Sequence, residues 1–242
     1  TIPIVVKANA GLPDPVTNTY NVSAKEFADT CRKMLKFGAK VMGGCCGTTP
    51  EYIREVKAML EEAWNNGEFK QQKVEGKLAI ASALKTVVID QPRIIGERIN
   101  PTGKKRFKQA LRENDMDYIL GQAIEQVEGG ADILDVNVGS PDIDEKEMMI
   151  RTIKALQGVV DVPLQIDSTK PEVIEAALRV YNGKPIVNSV NGEDKVLDTI
   201  LPVVAKYGAA VIGLALDENG IPDTAEGRVE IAKKIMNKAM SY

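Results

Sequence analysis

Histidine is missing altogether from the 242 residues. Its absence removes Ser-His-Asp and Cys-His catalysis, HExxH zinc sites and any imidazole base. Cysteine is scarce: there are three, an odd number, and Cys45 and Cys46 are adjacent. That pattern suits a reducing compartment better than a disulfide framework, so a cytoplasmic location is expected. Net charge is small, with 31 basic and 34 acidic side chains leaving -3 and no basic block standing out. General affinity for nucleic acid is therefore not expected. No apolar run approaches the ~18–20 residues of a membrane span, so no membrane association is expected either. The opening Thr1-Ile2-Pro3-Ile4-Val5-Val6 lacks the basic stretch of a signal peptide and reads as a strand entered in mid-stream. Chemistry is left to carboxylates, amides, lysines, thiolates or a borrowed cofactor.

What is present is an ordinary globular composition, 44% hydrophobic and 27% charged. The length suits one large α/β domain or parts of two. Short apolar runs alternate with amphipathic stretches almost throughout. Strands are expected over 2–8 and 39–44, with a helix opened by the capping box Ser23-Ala24-Lys25-Glu26 and ended before Gly38. Thr49-Pro50-Glu51 supplies an N-cap, a proline at the first helical position and an early acid for a helix to about Trp64. Residues 67–92 read as an interdomain linker with some local structure. A second series follows, with strands at 93–99, 133–138, 163–167, 185–190 and 210–216. Helices are expected at 107–128, 145–156, 171–180, 195–207 and 225–240, with caps at Asp144 and Thr169.

Strict β-α alternation with nearly continuous apolar strands means a parallel sheet covered by helices. Five consecutive units favour a (β/α)8 barrel over a doubly wound sheet, although pattern alone allows both. The expected fold class is therefore α/β, with TIM-type barrels. Strands of the second series carry polar residues at or just past their C-terminal ends: Glu97 and Asn100, Asp135 and Asn137, Asp167, Asn188, and Asp217. In a barrel these converge on one mouth, where barrel active sites lie. Polar groups at buried strand ends need partners, and a ligand rich in donors and acceptors would supply them. The plainer alternative is that each caps the following turn or helix, and Asp217 and Asn137 are the most open to it.

Gly43-Gly44-Cys45-Cys46-Gly47-Thr48 lies between a strand end and a helix N-terminus. Two thiolates there could bind a soft Lewis-acidic metal such as zinc. Two small buried cysteines would fit the same pattern. Zinc needs at least three protein ligands, and Cys31, on the apolar helix face of Phe27, Met34 and Leu35, reads as core.

The stretch Val41-Met42-Gly43-Gly44-Cys45-Cys46-Gly47-Thr48-Thr49-Pro50 resembles the C-terminal zinc motif of homocysteine S-methyltransferase barrels, and Asn9-Ala10-Gly11-Leu12-Pro13 their preceding strand-end turn. The remainder resembles pterin-binding barrels such as dihydropteroate synthases and methyltetrahydrofolate methyltransferases. The residues that carry this are Gly96-Glu97-Arg98-Ile99-Asn100-Pro101-Thr102-Gly103, Gly130-Ala131-Asp132-Ile133-Leu134-Asp135-Val136-Asn137, Gln165-Ile166-Asp167-Ser168-Thr169-Lys170-Pro171 and Ile186-Val187-Asn188-Ser189. Their order is that of cobalamin-dependent methionine synthases.

The resemblance implies two (β/α)8 barrels, each only partly represented. Residues 1–66 would be the C-terminal part of a homocysteine- and zinc-binding barrel, 67–92 the linker, and 93–242 the N-terminal part of a methyltetrahydrofolate-binding barrel. It implies methyl transfer from 5-methyltetrahydrofolate through cobalamin to zinc-bound homocysteine, giving methionine and tetrahydrofolate. Cys45 and Cys46 would be two zinc ligands, the third lying outside this chain, and cobalamin would be held by another module. Asp167 and Asn188 would bind and orient the pterin during catalysis, with Glu97, Asn100, Asp135 and Asn137 lining the same mouth. The alternatives are a stand-alone pterin enzyme, of the dihydropteroate synthase or methyltetrahydrofolate:corrinoid methyltransferase type, or a folate-binding module without catalysis.

Overall fold

A computed structural model describes residues 4–69 and 77–242. The chain divides into two compact units, Thr1–Gly76 and Lys77–Tyr242. Part of the expected linker, 70–76, and the first residues of the opening strand lie outside the described residues. Among the described residues no helix is long and apolar enough to cross a membrane.

The first unit is a β-α-β-α run: β1 (Ile4–Ala8), α1 (Ala24–Leu35), β2 (Ala39–Gly44) and α2 (Pro50–Asn65). The two strands pair in parallel, with Val5 opposite Val41 and Ala8 opposite Gly44. The capping box forms as expected: the Glu26 N–H donates to Ser23 Oγ at 3.3 Å and the Ser23 N–H to Glu26 Oε2 at 2.9 Å. Cys31 is buried with Phe27, Ala28, Leu35, Val56, Met59 and Ala63, which makes it a core residue. Thr49 occupies the N-cap of α2, but its side chain makes no capping hydrogen bond.

The second unit begins with an antiparallel hairpin, β3 (Ala79–Ala81) and β4 (Thr86–Val88), inside the stretch expected to link domains. Next come β5 (Ile95–Ile99), α3 (Lys105–Glu113), α4 (Met116–Glu128), β6 (Ile133–Val136), α5 (Glu145–Leu156) and β7 (Leu164–Asp167). The unit finishes with α6 (Pro171–Val180), β8 (Ile186–Val190), α7 (Asp194–Tyr207), β9 (Ala210–Gly213) and α8 (Ala225–Met240). The five later strands form one parallel sheet in the order β5-β6-β7-β8-β9, each beside its neighbour in sequence. A doubly wound sheet reverses direction at a switch point; an unbroken sequential order is that of a barrel wall.

Two local expectations fail. The helix expected over 107–128 is two helices, because Asn114 takes a left-handed conformation with φ of 57° and Asp115 starts α4 by accepting the Tyr118 N–H at 3.1 Å. Asn and Asp tolerate such stop-start geometry through their short polar side chains. Thr169 does not cap α6: the N-cap position is Lys170, whose N–H is instead taken by Ser168 Oγ at 3.2 Å. Asp144 caps α5 as expected, accepting the Glu147 N–H at 2.9 Å.

Alternation along the strands separates two faces. Leu134, Val136, Leu164, Ile166 and Val187 pack into the helix-covered core, while Ile133 and Ile186 join Ile80 and Val87 of the hairpin. Since Ile133 and Ile186 begin their strands, the hairpin seals the N-terminal end of the sheet. It is tied there by paired hydrogen bonds between Ala81 and Lys184, both 2.8 Å, and by the Tyr181 hydroxyl donating to the Ala81 carbonyl at 3.0 Å. Gly183 has φ of 152° and lies so close to the Ala81 carbonyl that a Cβ would overlap it. The opposite end of the sheet is thereby left as the open mouth. Ile80 is 1% exposed, so Ile80→Ala is expected to cost about 2–4 kcal/mol in urea unfolding of the protein.

Candidate pterin site and thiol loop

The inner face of the sheet turns polar toward the C-terminal end. Period-2 alternation puts Asp135 and Asn137 on one side of β6, Gln165 and Asp167 on the same side of β7, and Asn188 on that side of β8. Register then brings them together: Asp135 lies opposite Gln165, and Asp167 opposite Asn188. Asn137 donates from Nδ2 to Asp167 Oδ2 at 2.9 Å, while its Oδ1 accepts the Gly139 N–H at 2.9 Å. Asn137 therefore holds its own turn and also anchors Asp167. Asn188 donates from Nδ2 to Asp135 Oδ1 at 3.4 Å, and Gln165 donates from Nε2 to the same oxygen.

The two carboxylates differ in depth. Asp135 is 2% exposed, whereas Asp167 and Asn188 are half-buried at the mouth. Burial pushes the Asp135 carboxyl up to about 6; the Gln165 bond opposes this, and the nearby Asp167 charge adds to it. Burial also raises Asp167, against the Asn137 bond that favours its charged form; the Glu97 and Glu145 charges add to the rise.

The remaining mouth residues stand apart from this cluster. Asn100 is buried, and its Oδ1 accepts the Thr102 N–H at 2.8 Å, which fixes the turn after β5. Glu97 is exposed and pairs with Lys104 at 3.1 Å. Asp217 closes a turn, accepting the Asn219 N–H at 2.9 Å, and so takes the plainer capping role.

Two groups escaped the sequence reading. Gln165 was visible only as a residue two positions before Asp167, on the same strand face. The other group is Glu145 with Ser168 and Lys170: Ser168 Oγ donates to Glu145 Oε1 at 2.6 Å, and Lys170 Nζ lies 2.9 Å from Glu145 Oε2. Glu145 opens α5 while the other two follow β7, so adjacent β/α units are stitched together immediately beyond Asp167. No local spacing signals such a contact.

In the first unit, Asn9 at the end of β1 accepts the Cys46 N–H at 3.1 Å, and the Cys45 N–H donates to the Ala8 carbonyl at 2.8 Å. Gly47 has φ of 79°, and a Cβ there would overlap the Tyr20 ring. These contacts hold the loop, with Cys45 and Cys46 both exposed at the N-terminal end of α2. Exposure favours a ligand role over core packing for this pair. Among the described residues, however, no group of three or more His, Cys, Asp or Glu side chains could hold a metal ion.

The raised carboxyls give a linkage whose sign is fixed. Asp135 holds its proton more tightly folded than unfolded, so the stability this confers is complete only below the ordinary value of 3.8 and is lost as pH rises through about 6. Urea unfolding of the wild type is expected to lose up to about 3 kcal/mol between pH 4 and 7, with Asp167 adding to the slope. Asp135→Asn should lose distinctly less over the same interval.

Comparison with known proteins sets this geometry in context. The family model described as pterin binding enzyme matches residues 96–241, and the homocysteine S-methyltransferase model matches residues 1–60. A methionine synthase of Mycobacterium leprae (strain TN) is 34% identical across 99% of this chain and 21% of its own length. One from Mycobacterium tuberculosis (strain ATCC 25618 / H37Rv) is 33% identical across 98% of this chain and 20% of its own. The chain thus spans about a fifth of the length of these relatives. Among solved structures, dihydropteroate synthase of Xanthomonas albilineans with 4-aminobenzoic acid superposes with a TM-score of 0.51 at 22% identity, covering 67% of this chain and 60% of that one. The Vibrio fischeri ES114 enzyme gives 0.50 at 18% identity, covering 68% and 62%. These likenesses speak to the fold, a barrel wall of the same kind. With its sequential parallel sheet and a family match across more than half of its length, the chain belongs to the pterin binding enzymes.

Proposed function

We propose that the chain works in a methyltransferase of the methionine synthase type, moving a methyl group from 5-methyltetrahydrofolate through cobalamin to homocysteine. Residues 93–242 would contribute the pterin site and residues 1–66 part of a homocysteine site, joined by 67–92. One observation carries the proposal: a homocysteine S-methyltransferase match at 1–60 is followed by a pterin binding match at 96–241 in a single chain.

The chemistry asked of the pterin site is binding and orientation. A methyl group on a tertiary ring amine leaves poorly until that nitrogen gains a proton, so the ring must be held fixed while the proton is supported. Asp167, anchored on one oxygen by Asn137, keeps the other for a ring N–H or amino donor. Asn188 stands beside it on the next strand as a second polar contact. Glu97 and Asn100 would form the rim of the same mouth. Burial of Asp135 and Asp167 supports a site built for a donor-rich ligand, since buried carboxylates are costly without partners.

Zinc chemistry stands on less. Cys45 and Cys46 would be two thiolate ligands for a zinc that activates homocysteine, but the described residues hold no third. Among the described residues the donor set is incomplete, and the cobalamin-binding module would lie elsewhere in the protein.

Calorimetric titration with 5-methyltetrahydrofolate is expected to show binding to the wild type and a roughly tenfold to hundredfold weaker association for Asp167→Asn, the range for a lost charge-assisted hydrogen bond. Equal binding would remove Asp167 from the site. Binding without methyl transfer to added reduced cobalamin would leave a non-catalytic folate-binding module in place of the methyltransferase.

A further inference from the structure

Asp135 is the deepest ionisable group of the mouth, where the resemblance places it in the lining without a role of its own. It is only 2% exposed, and its Oδ1 accepts from two amides on two different strands, Gln165 Nε2 and Asn188 Nδ2. An ionised carboxylate only accepts, so each amide must turn its NH2 toward it. For Asn188 this leaves the carbonyl oxygen directed away from Asp135. On the neighbouring strand the same logic runs through Asn137. Its Oδ1 is taken by the Gly139 N–H and its Nδ2 is given to Asp167 Oδ2, which leaves Asp167 Oδ1 without a partner among the described residues. Among the described residues the acceptors left at the mouth are therefore Asn188 Oδ1 and Asp167 Oδ1, on residues in register across adjacent strands, a spacing of about 4.8 Å, while Gln165 Oε1 is buried without a partner.

We propose that Asp135, braced by Gln165, is a positioning residue that sets the Asn188 amide as an acceptor, so that the mouth selects a heterocycle edge carrying neighbouring N–H donors. This ligand class rests on the pterin assignment, because an amino group beside a ring N–H is the donor edge of a pterin. Asp135 acts through Asn188 and does not touch the ligand. The charges that act on Asp135, Asp167 from β7 and Glu97 from β5, are both acidic, so the two amides are what favours its ionised form.

A charge swap separates orientation from simple packing. Asp135→Asn is expected to weaken 5-methyltetrahydrofolate binding about tenfold, because the Asn188 amide is no longer held one way round. Asn188→Asp should weaken it as well, by setting a second carboxylate against Asp135. The double variant Asp135→Asn/Asn188→Asp reverses donor and acceptor while still offering an acceptor at the mouth, and should return to within about threefold of wild type. Wild-type-like binding by Asp135→Asn, or a double variant no better than either single one, would overturn the inference. Failure of the wild type to bind would instead bring down the pterin assignment and the ligand class with it.

A second measurement needs neither ligand nor stable variants. The side-chain amide resonances of Asn188 should shift with pH around a midpoint near 6, following Asp135. Amide resonances that stay flat from pH 4 to 8 would refute the coupling even if every variant failed to fold.

Discussion

The arrangement depends on one constraint: polar groups that a parallel sheet buries on its inner face lose their water. Each such group must find a partner across the strands or leave one position for a ligand. Near the start of β6 and β8 the inner face avoids the problem with Ile133 and Ile186, packed on the hairpin residues Ile80 and Val87. Toward the strand ends it solves it laterally. Asp135 takes bonds from Gln165 and Asn188, and Asp167 takes one from Asn137. Under the proposed pterin reading, what those pairings leave unsatisfied at the mouth would be the recognition surface.

This division gives the unit two unlike ends. The hairpin end is apolar and held by backbone hydrogen bonds to Lys184 and by the Tyr181 hydroxyl, an arrangement suited to rigidity. The mouth end concentrates carboxylates whose proton affinities are raised by burial, a state tolerated where a bound partner can compensate. The Glu145–Ser168–Lys170 contact is a third element: it ties the loop after Asp167 to the helix of the preceding unit, so the carboxylate is held from its own strand and from the following loop.

Much of the fold was legible because it is local. Capping at Ser23 and Asp144, the helix end at Gly208 and the alternation of strands with helices all follow from neighbouring residues. The split between α3 and α4 was legible in principle, since Asn114-Asp115 is a stop followed by a start, but the apolar period runs through it. The hairpin was hard to see because its strands have three residues each, too few to establish a period. Its burial comes largely from residues far along the chain, Ile133 and Ile186 with Ala210 and Ile212 packed beside them.

By itself the sequence determined that these 242 residues are α/β and hold no imidazole, and that their strand ends carry carboxylates and amides beside an adjacent cysteine pair. Only the tertiary structure decided which of those polar residues share hydrogen bonds, and at what depth. Asp135 and Asp167 look equivalent along the chain, but one is buried and the other is half open. The physical reason is lateral register. Bonds between residues 30 and 53 positions apart are set by how parallel strands align, which no spacing within a single strand records.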